Sequence, residues 1–360
     1  MLDTFRLSSK LINALDGHTH CVHSIDYAIF DGSQLLCSGS NDKTVRVWDV
    51  GNNKQVQLFE WYSSSVNCVK FSQYHYYKYH RNVVCSTSYD ETILFFDIKD
   101  KQLLQIFDEH ADGICSIEFS PFNGGRYLCT GSWNKKINLW DVETSKSLYI
   151  FKGHTMTVKC VDFSPHQSNI NNNQSNIIGV IGGNGYTICS GSQDKTIRIW
   201  DIETAEQLNV FKGHKQEVIS IKYGLNGLGN IGGANTILSG SVDESVRLWD
   251  IRSGQQIQVF NGHTNYVNTV EYSPFVVDNI EVGCNSNVIC SGSLDNTIRF
   301  WDIRSNKKEL YVIKGGNEDN DGITCFKFLQ LKNDSKTNNS NGCEINLCYG
   351  SWKGPICIWG

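Results

Sequence analysis

The stretch "CSGSQDKTIRIWD" at residues 189–201 returns along the whole chain, and a chain built from one repeated phrase must fold as copies of one small unit. It recurs as "CSGSNDKTVRVWD", "CSTSYDETILFFD", "CTGSWNKKINLWD", "LSGSVDESVRLWD" and "CSGSLDNTIRFWD", with a worn seventh copy, "CYGSWKGPICIWG", at residues 348–360. Each copy is two short alternating runs around a tight polar turn, the signature of a β-hairpin. The aromatics that close the hairpins are Trp48, Phe96, Trp140, Trp200, Trp249, Trp301 and Trp359. From the first five of these the step to the next His position is always 14 residues, landing on Tyr62, His110, His154, His214 and His263. Tyr62 therefore stands where a His is expected. A strand such as "LNVFKGH" leads into that position and another, such as "VKCVDFSP", follows it. The unit is four short strands, and alternation without any long helical period demands an all-β repeat architecture.

The Gly-His to Trp-Asp phrase at this period resembles the WD-repeat β-propeller family, and the resemblance covers essentially the whole chain. It implies a seven-bladed β-propeller with four antiparallel strands per blade around a central channel. Residues 1–360 read as a single propeller, with 17–360 forming seven repeats and 1–16 a closing strand. The template of apolar residues six, four and three places before the His (Leu208, Val210 and Phe211; Ile257, Val259 and Phe260) is met before His18 by Ile12, Ala14 and Leu15, although no hairpin precedes them. The last hairpin lacks a fourth strand after Trp359. Pairing the two closes the ring and removes two exposed edges.

Four polar or aromatic positions recur in each repeat: His, Ser or Thr, Asp and Trp. The family resemblance implies that they form a hydrogen-bonded chain inside the blade, and buried imidazole, hydroxyl and indole groups do need partners. Four sets are complete: His18, Ser38, Asp42 and Trp48; His154, Ser190, Asp194 and Trp200; His214, Ser239, Asp243 and Trp249; and His263, Ser291, Asp295 and Trp301. A Ser, a His and an Asp together also fit a hydrolase, but nucleophilic catalysis needs one accessible site rather than four copies. The tetrads therefore read as structural and the protein as a non-enzyme. Blade two departs at Tyr62 and Phe96, and blade three at Asn134. Blade seven has Tyr349 and Lys353 in the Ser and Asp places, and is expected to be the softest.

A net charge of −5 without a clustered basic excess argues against a nucleic-acid surface. No apolar run approaches a membrane span and the first residues carry no signal-like apolar region, so cytosol or nucleus is the expected compartment. Six of the 14 cysteines (Cys37, Cys85, Cys129, Cys189, Cys290 and Cys348) occupy one repeated strand position and read as reduced core filling. No cofactor or metal is expected. "GLGNIGG" (227–233) matches a dinucleotide fingerprint but leads into a strand, "NTILSGS", rather than a helix. His75 and His80 in "YHYYKYH" are too few for a metal site and read as part of an aromatic loop.

Long Asn-rich insertions, such as "HQSNINNNQSNIIGVIGGNG" and "QLKNDSKTNNSNGC", fall between the first and second strands of blades four to seven. The family's topology puts them on one face of the ring and leaves the turns around His and Asp as a face of short loops. On that face the residue before each Asp, and those three and five after each His, include Tyr89, Trp133, Tyr266 and Trp352. Exposed aromatics of this kind are binding anchors. No Arg cluster accompanies them, which disfavours phosphopeptides and predicts weak salt dependence. The expectation is a scaffold that binds partner proteins or peptides on the short-loop face. An alternative is a substrate receptor of a cullin–RING ubiquitin ligase, because "WDIR" at Trp249–Arg252 and Trp301–Arg304 looks like the Trp-Asp-x-Arg docking element of such receptors, with Arg252 and Arg304 as the docking residues.

Overall fold

The computed structural model describes Phe5 and residues 9–108, 112–164, 186–224, 236–274, 288–304, 309–316, 321–330 and 345–360. His110, "GLGNIGG" and the Asn-rich insertions lie outside the described residues. Seven four-stranded antiparallel sheets make the seven blades. Blade one is Val22–Phe30, Ser33–Ser40, Val45–Asp49 and Lys54–Phe59, ordered as in the chain. The next five blades repeat that order. The innermost strands stand side by side around the channel, and Ile323–Gln330 of blade seven returns to touch Val22–Phe30 of blade one.

Blade seven is closed by the N-terminal strand. Leu11–Leu15 pairs antiparallel with Ile356–Trp359, with Leu11 opposite Trp359, Ala14 opposite Cys357 and Leu15 opposite Ile356. Only the residue three places before the His is core: Leu15 is 3% exposed, whereas Ile12 is 53% exposed and Leu208 and Ile257 are similarly bare. Period-two alternation explains this, since positions six and four before the His share the outward face of an edge strand.

The "CSGS" strand is the most buried of each blade. All six repeated cysteines are fully buried free thiols, and burial holds each thiol well above its ordinary pKa. The glycine of the motif lets neighbouring blades approach. A Cβ on Gly39 would lie 2.7 Å from Val66 Cγ1 in the next blade, and one on Gly191 equally close to Val218 Cγ1. Each hairpin turn places the residue after the Asp position at positive φ: Lys43, Glu91, Lys135, Lys195, Glu244, Asn296 and Gly354. Left-handed backbone costs a non-glycine residue roughly 1–2 kcal/mol. The Asp side chain offsets that cost by accepting from the next backbone N–H, as from Thr44, Thr196, Ser245 and Thr297. The "YHYYKY" segment is a short helix, Gln73–Tyr79, rather than a loop. Its His75 is buried, bonded to Ser72 Oγ at 2.8 Å, and pushed down to about 4 by burial.

Candidate interaction face

The four complete tetrads share one geometry. His18 Nδ1 lies 2.8 Å from Asp42 Oδ2, and its Nε2 lies 2.8 Å from Ser38 Oγ. Trp48 Nε1–H donates to the same Ser38 Oγ at 2.9 Å. In blade four His154 lies 2.8 Å from Asp194 and 2.7 Å from Ser190 Oγ, to which Trp200 donates at 2.8 Å. In blade five His214 lies 2.9 Å from Asp243 and 2.8 Å from Ser239 Oγ, and Trp249 donates to that oxygen at 2.8 Å. In blade six His263 lies 2.8 Å from Asp295 and 2.7 Å from Ser291 Oγ, which Trp301 reaches at 2.9 Å. One proton arrangement satisfies every atom: indole N–H to Ser oxygen, Ser O–H to His Nε2, and His Nδ1–H to carboxylate.

The burial of the serines decides what these sets can do. Ser38, Ser190, Ser239 and Ser291 are each 0% exposed, on the second strand of the blade behind the Trp. Ser190 and Ser291, like the other two tetrad serines, lie in the blade interior and belong to no accessible surface. A hydroxyl so placed orders the blade and offers no route to a substrate or partner. Burial keeps His18, His154 and His214 below the ordinary histidine pKa, so the rings are neutral at pH 7. Burial alone would raise Asp42, Asp194 and Asp243. The bonds from His, from the backbone and from a neighbouring Thr or Ser hydroxyl outweigh it, and each carboxyl sits well below the usual range.

The departures are substitutions with their own chemistry. Tyr62 does more than pack, as its hydroxyl lies 2.8 Å from both Ser86 Oγ and the Ser86 carbonyl. Ser86 thereby receives from Tyr62 the partner that Phe96, lacking an N–H, cannot supply. In blade three Asn134 Oδ1 takes the Asp role by accepting from Lys136 N–H, and Trp140 donates to Thr130 Oγ1. In blade seven a glycine pair replaces the His. The larger Tyr349 fills the space and accepts from Gly316 N–H at 3.1 Å.

The short-loop face is tied together by one repeated bond. In all seven blades the residue before the Asp position (Asn41, Tyr89, Trp133, Gln193, Val242, Leu294 and Trp352) donates its backbone N–H across the turn to a carbonyl in the loop leading to the inner strand. The bonds of Tyr89, Trp133 and Trp352 go to Ser65, Gly113 and Gly322 at 3.2, 2.9 and 3.0 Å. The backbone under these side chains is fixed while the side chains stay in solvent. Tyr89 is 38%, Trp133 and Tyr266 each 45%, and Trp352 55% exposed. Tyr89 and Trp133 meet edge to face at 5.3 Å. No such ring contact joins Tyr266 to Trp352. Trp352 instead borders a cavity of about 400 Å³ with Leu294, Asp295, Thr264, Asn265 and Gly322. Trp352 and Tyr89 also border one cavity of about 220 Å³ at the channel mouth, so the two aromatic groups flank a single opening.

Sequence reasoning missed Trp61, 59% exposed on the same face. It occupies the place that a glycine holds before His18, His154, His214 and His263. In blade one a Cβ on Gly17 would meet Arg46 Nη1 at 2.7 Å and Trp48 Cη2 at 2.9 Å. Blade two has Leu94 and Phe96 there, which leaves room for Trp61 with its ring 6.0 Å from Phe96. The missing Arg and Trp of blade two were the signal.

Deeper in the channel each blade contributes one charge from its inner strand: Asp26, Lys70, Glu118, Asp162, Lys222, Glu271 and Lys327. Lys70 pairs with Glu118 at 2.7 Å, Lys222 with Asp162 at 3.5 Å, and Lys327 with Asp26 at 3.5 Å. Burial would raise Glu118, but Lys70 and Lys222 hold it down to about 2. Burial wins at Asp162, which is pushed up to about 6 despite Lys222.

Arg252 and Arg304 lie at the far ends of third strands, on the face opposite the aromatic side chains. Arg252 N–H donates to Asp250 at 3.0 Å. The Arg304 guanidinium is held on both oxygens of its own Asp302 at 3.0 Å. Among the described residues no group of three or more His, Cys, Asp or Glu could hold a metal ion, and no helix is long and apolar enough to cross a membrane.

A family model described as WD domain, G-beta repeat matches residues 9–49, 53–97, 101–141, 145–201, 205–250 and 254–302. The matches stop short of the worn seventh repeat. Among curated proteins, cell division control protein 4 of Saccharomyces cerevisiae is 34% identical over 73 residues, 20% of this chain and 9% of that protein. The U5 small nuclear ribonucleoprotein 40 kDa protein of Mus musculus is 40% identical over 53 residues, 15% of this chain and 14% of that protein. The Homo sapiens protein of the same name is 38% identical over 53 residues, 15% of each chain. The aligned stretches thus span no more than 15% of these relatives' lengths.

Proposed function

We propose, from the premise that the chain belongs to the WD domain, G-beta repeat family, that it is a non-catalytic scaffold binding partner proteins or peptides on the short-loop face. The observation that carries this reading is the seven-fold bonded turn ring that holds Tyr89, Trp133 and Trp352 exposed, with Tyr89 and Trp352 bordering one channel mouth and Trp133 packed on Tyr89. Rigid backbone beneath amphipathic aromatic rings is a low-entropy way to present anchors. An extended segment crossing the mouth would be gripped at Tyr89 and Trp133 on one side and at Trp352 on the other. Membership of an assembly also suits the name of the 40 kDa relative, which describes a component of a ribonucleoprotein. Cytosol or nucleus is the compartment that goes with this role.

The test starts from a partner co-purified with the wild-type chain. Trp133→Ala with Trp352→Ala should weaken its binding by about 2 kcal/mol or more, roughly thirtyfold. The melting temperature should move little, because both rings are about half exposed and lie outside the blade cores. Unchanged affinity with collapsed stability would assign the two tryptophans to covering their turns instead.

The second reading, a cullin–RING substrate receptor, is favoured by one observation. The two Trp-Asp-Ile-Arg segments end corresponding strands of neighbouring blades five and six, clear of the proposed partner face. Arg252→Ala with Arg304→Ala should then abolish capture of a cullin adaptor at unchanged stability. Adaptor binding that survives both changes would remove these residues from the account.

A further inference from the structure

We propose that the channel mouth is a subsite for one acidic side chain, an Asp or Glu in the middle of the docked segment, and that Lys159 reads its carboxylate. The proposal rests on the peptide-docking reading above and names the chemistry of that partner. Lys159 stands five residues past His154, on the inner strand of blade four, and borders the mouth cavity. The other side chains at that depth include Asn67, Cys115, Ile219, Asn268 and Thr324, all uncharged. His23 is there too, and burial keeps it below the ordinary histidine pKa and hence neutral at pH 7. Lys159 is therefore the one cation among the described residues lining this cavity.

Its position is built. The Lys159 ammonium sits 5.7 Å from the ring centroid of Trp133, half-buried beside a proposed anchor. Among the described residues no carboxylate lies within ion-pair distance of it. The acids of the surrounding rim are held by uncharged donors rather than by Lys159: Gly113 N–H donates to Asp112 Oδ1 at 2.9 Å, Gln193 Nε2 to Glu217 Oε1 at 2.7 Å, and the Lys353 backbone N–H to Asp321 Oδ1 at 2.7 Å. Asn67 and Asn268 are clamped by donating Nδ2 to the carbonyls of Ile114 and Ile323 at 2.8 and 3.0 Å. Below the mouth the lysines of the charged belt are already paired with acids of the belt.

A segment stretched from Tyr89 and Trp133 towards Trp352 passes over this cavity, whose volume of about 220 Å³ suits one side chain rather than a whole small ligand. A carboxylate entering there meets an ammonium with no carboxylate partner among the described residues, in a concave cavity whose other lining side chains are uncharged, where the pair is screened less than on an open surface. A basic side chain would be repelled.

The experiment selects a random-sequence phage-displayed peptide library on the full chain, on Lys159→Gln and on Lys159→Glu, with Trp133→Ala/Trp352→Ala as the control for the face. Melting curves of all four proteins confirm the fold. Wild-type binders should lose affinity on the aromatic control, carry Asp or Glu at one fixed position, and bind Lys159→Gln about tenfold more weakly. Replacing that acid by its amide should cost the same tenfold on the wild type and nothing on Lys159→Gln. Lys159→Glu should instead select Lys or Arg at that position. Face-dependent binders with no fixed acid and equal affinity for Lys159→Gln would overturn the carboxylate subsite and leave the docking face standing. Binders indifferent to the aromatic control, or none at all, would overturn both.

Discussion

Removal of residues 1–16 is expected to lower the melting temperature by on the order of 10 °C or to drive aggregation, because it takes away both a strand and a piece of the core. Leu15 is buried with Val22, Leu36, Trp48, Leu329 and Ile356, a cluster drawn from blades one and seven, so its loss loosens the ring on both sides of the closure. Leu15→Ala alone should cost about 2–5 kcal/mol. Ile12→Ala, at the bare position of the same strand, should stay within about 0.5 kcal/mol. The clasp also reaches further than one strand. Phe5 packs into the blade-six and blade-seven core, with its ring 6.2 Å from that of Phe300, and Ser9 Oγ lies 2.8 Å from the Tyr311 hydroxyl. Thermal unfolding of the three variants, with light scattering, separates these outcomes. A truncated monomer with an unchanged melting curve would show that blade seven stands without its outer strand.

His214→Ala should cost about 1–3 kcal/mol, because it leaves the Ser239 hydroxyl and the Asp243 carboxylate short of a partner inside the blade. The double variant His214→Ala/Asp243→Ala should be little worse than the single one, since the two groups act through one chain. Strict additivity in denaturant titrations would contradict a shared network. The same chain gives acid sensitivity. His18, His154 and His214 have folded pKa values below the unfolded value, so their contribution is full above about pH 6.5 and is lost as pH falls further. The tetrad aspartates act in the same direction below about pH 4. Asp162, pushed up to about 6, runs the other way and stabilises as it protonates, but it is one group against five histidines, since burial lowers His23 and His75 as well. The urea midpoint should therefore fall between pH 7 and pH 5, and less steeply in His214→Ala.

The blades were legible because period-two alternation, a polar turn and a fixed aromatic leave few alternatives to a hairpin, and seven copies repeat the message. Ring closure was legible from the orphan template at Ile12, Ala14 and Leu15, although the template did not tell its core position from its two bare ones. Tyr62 was harder. A Tyr in a His place looks like a loss until the phenol is seen to reach the Ser86 hydroxyl from another direction. The exchange of His for glycine against Ser for Tyr349 in blade seven is a volume swap between positions more than thirty residues apart, which no local pattern reveals. The helix Gln73–Tyr79 was hidden because its aromatic-rich composition suits a strand or loop equally well. The face itself was read from turn positions alone. Its single opening, shared by Tyr89 and Trp352, depends on how the blades meet around the channel and needed the structure.

Amide hydrogen exchange on the full chain, with and without its co-purified partner, reads out which face the partner covers. Docking on the short-loop face should slow exchange at the turns carrying Tyr89, Trp133 and Trp352 and at the loops bonded to them, with the Asp250 and Asp302 turns unaffected. Protection confined to the Asp250 and Asp302 turns, with the aromatic turns exchanging as in the free chain, would contradict it.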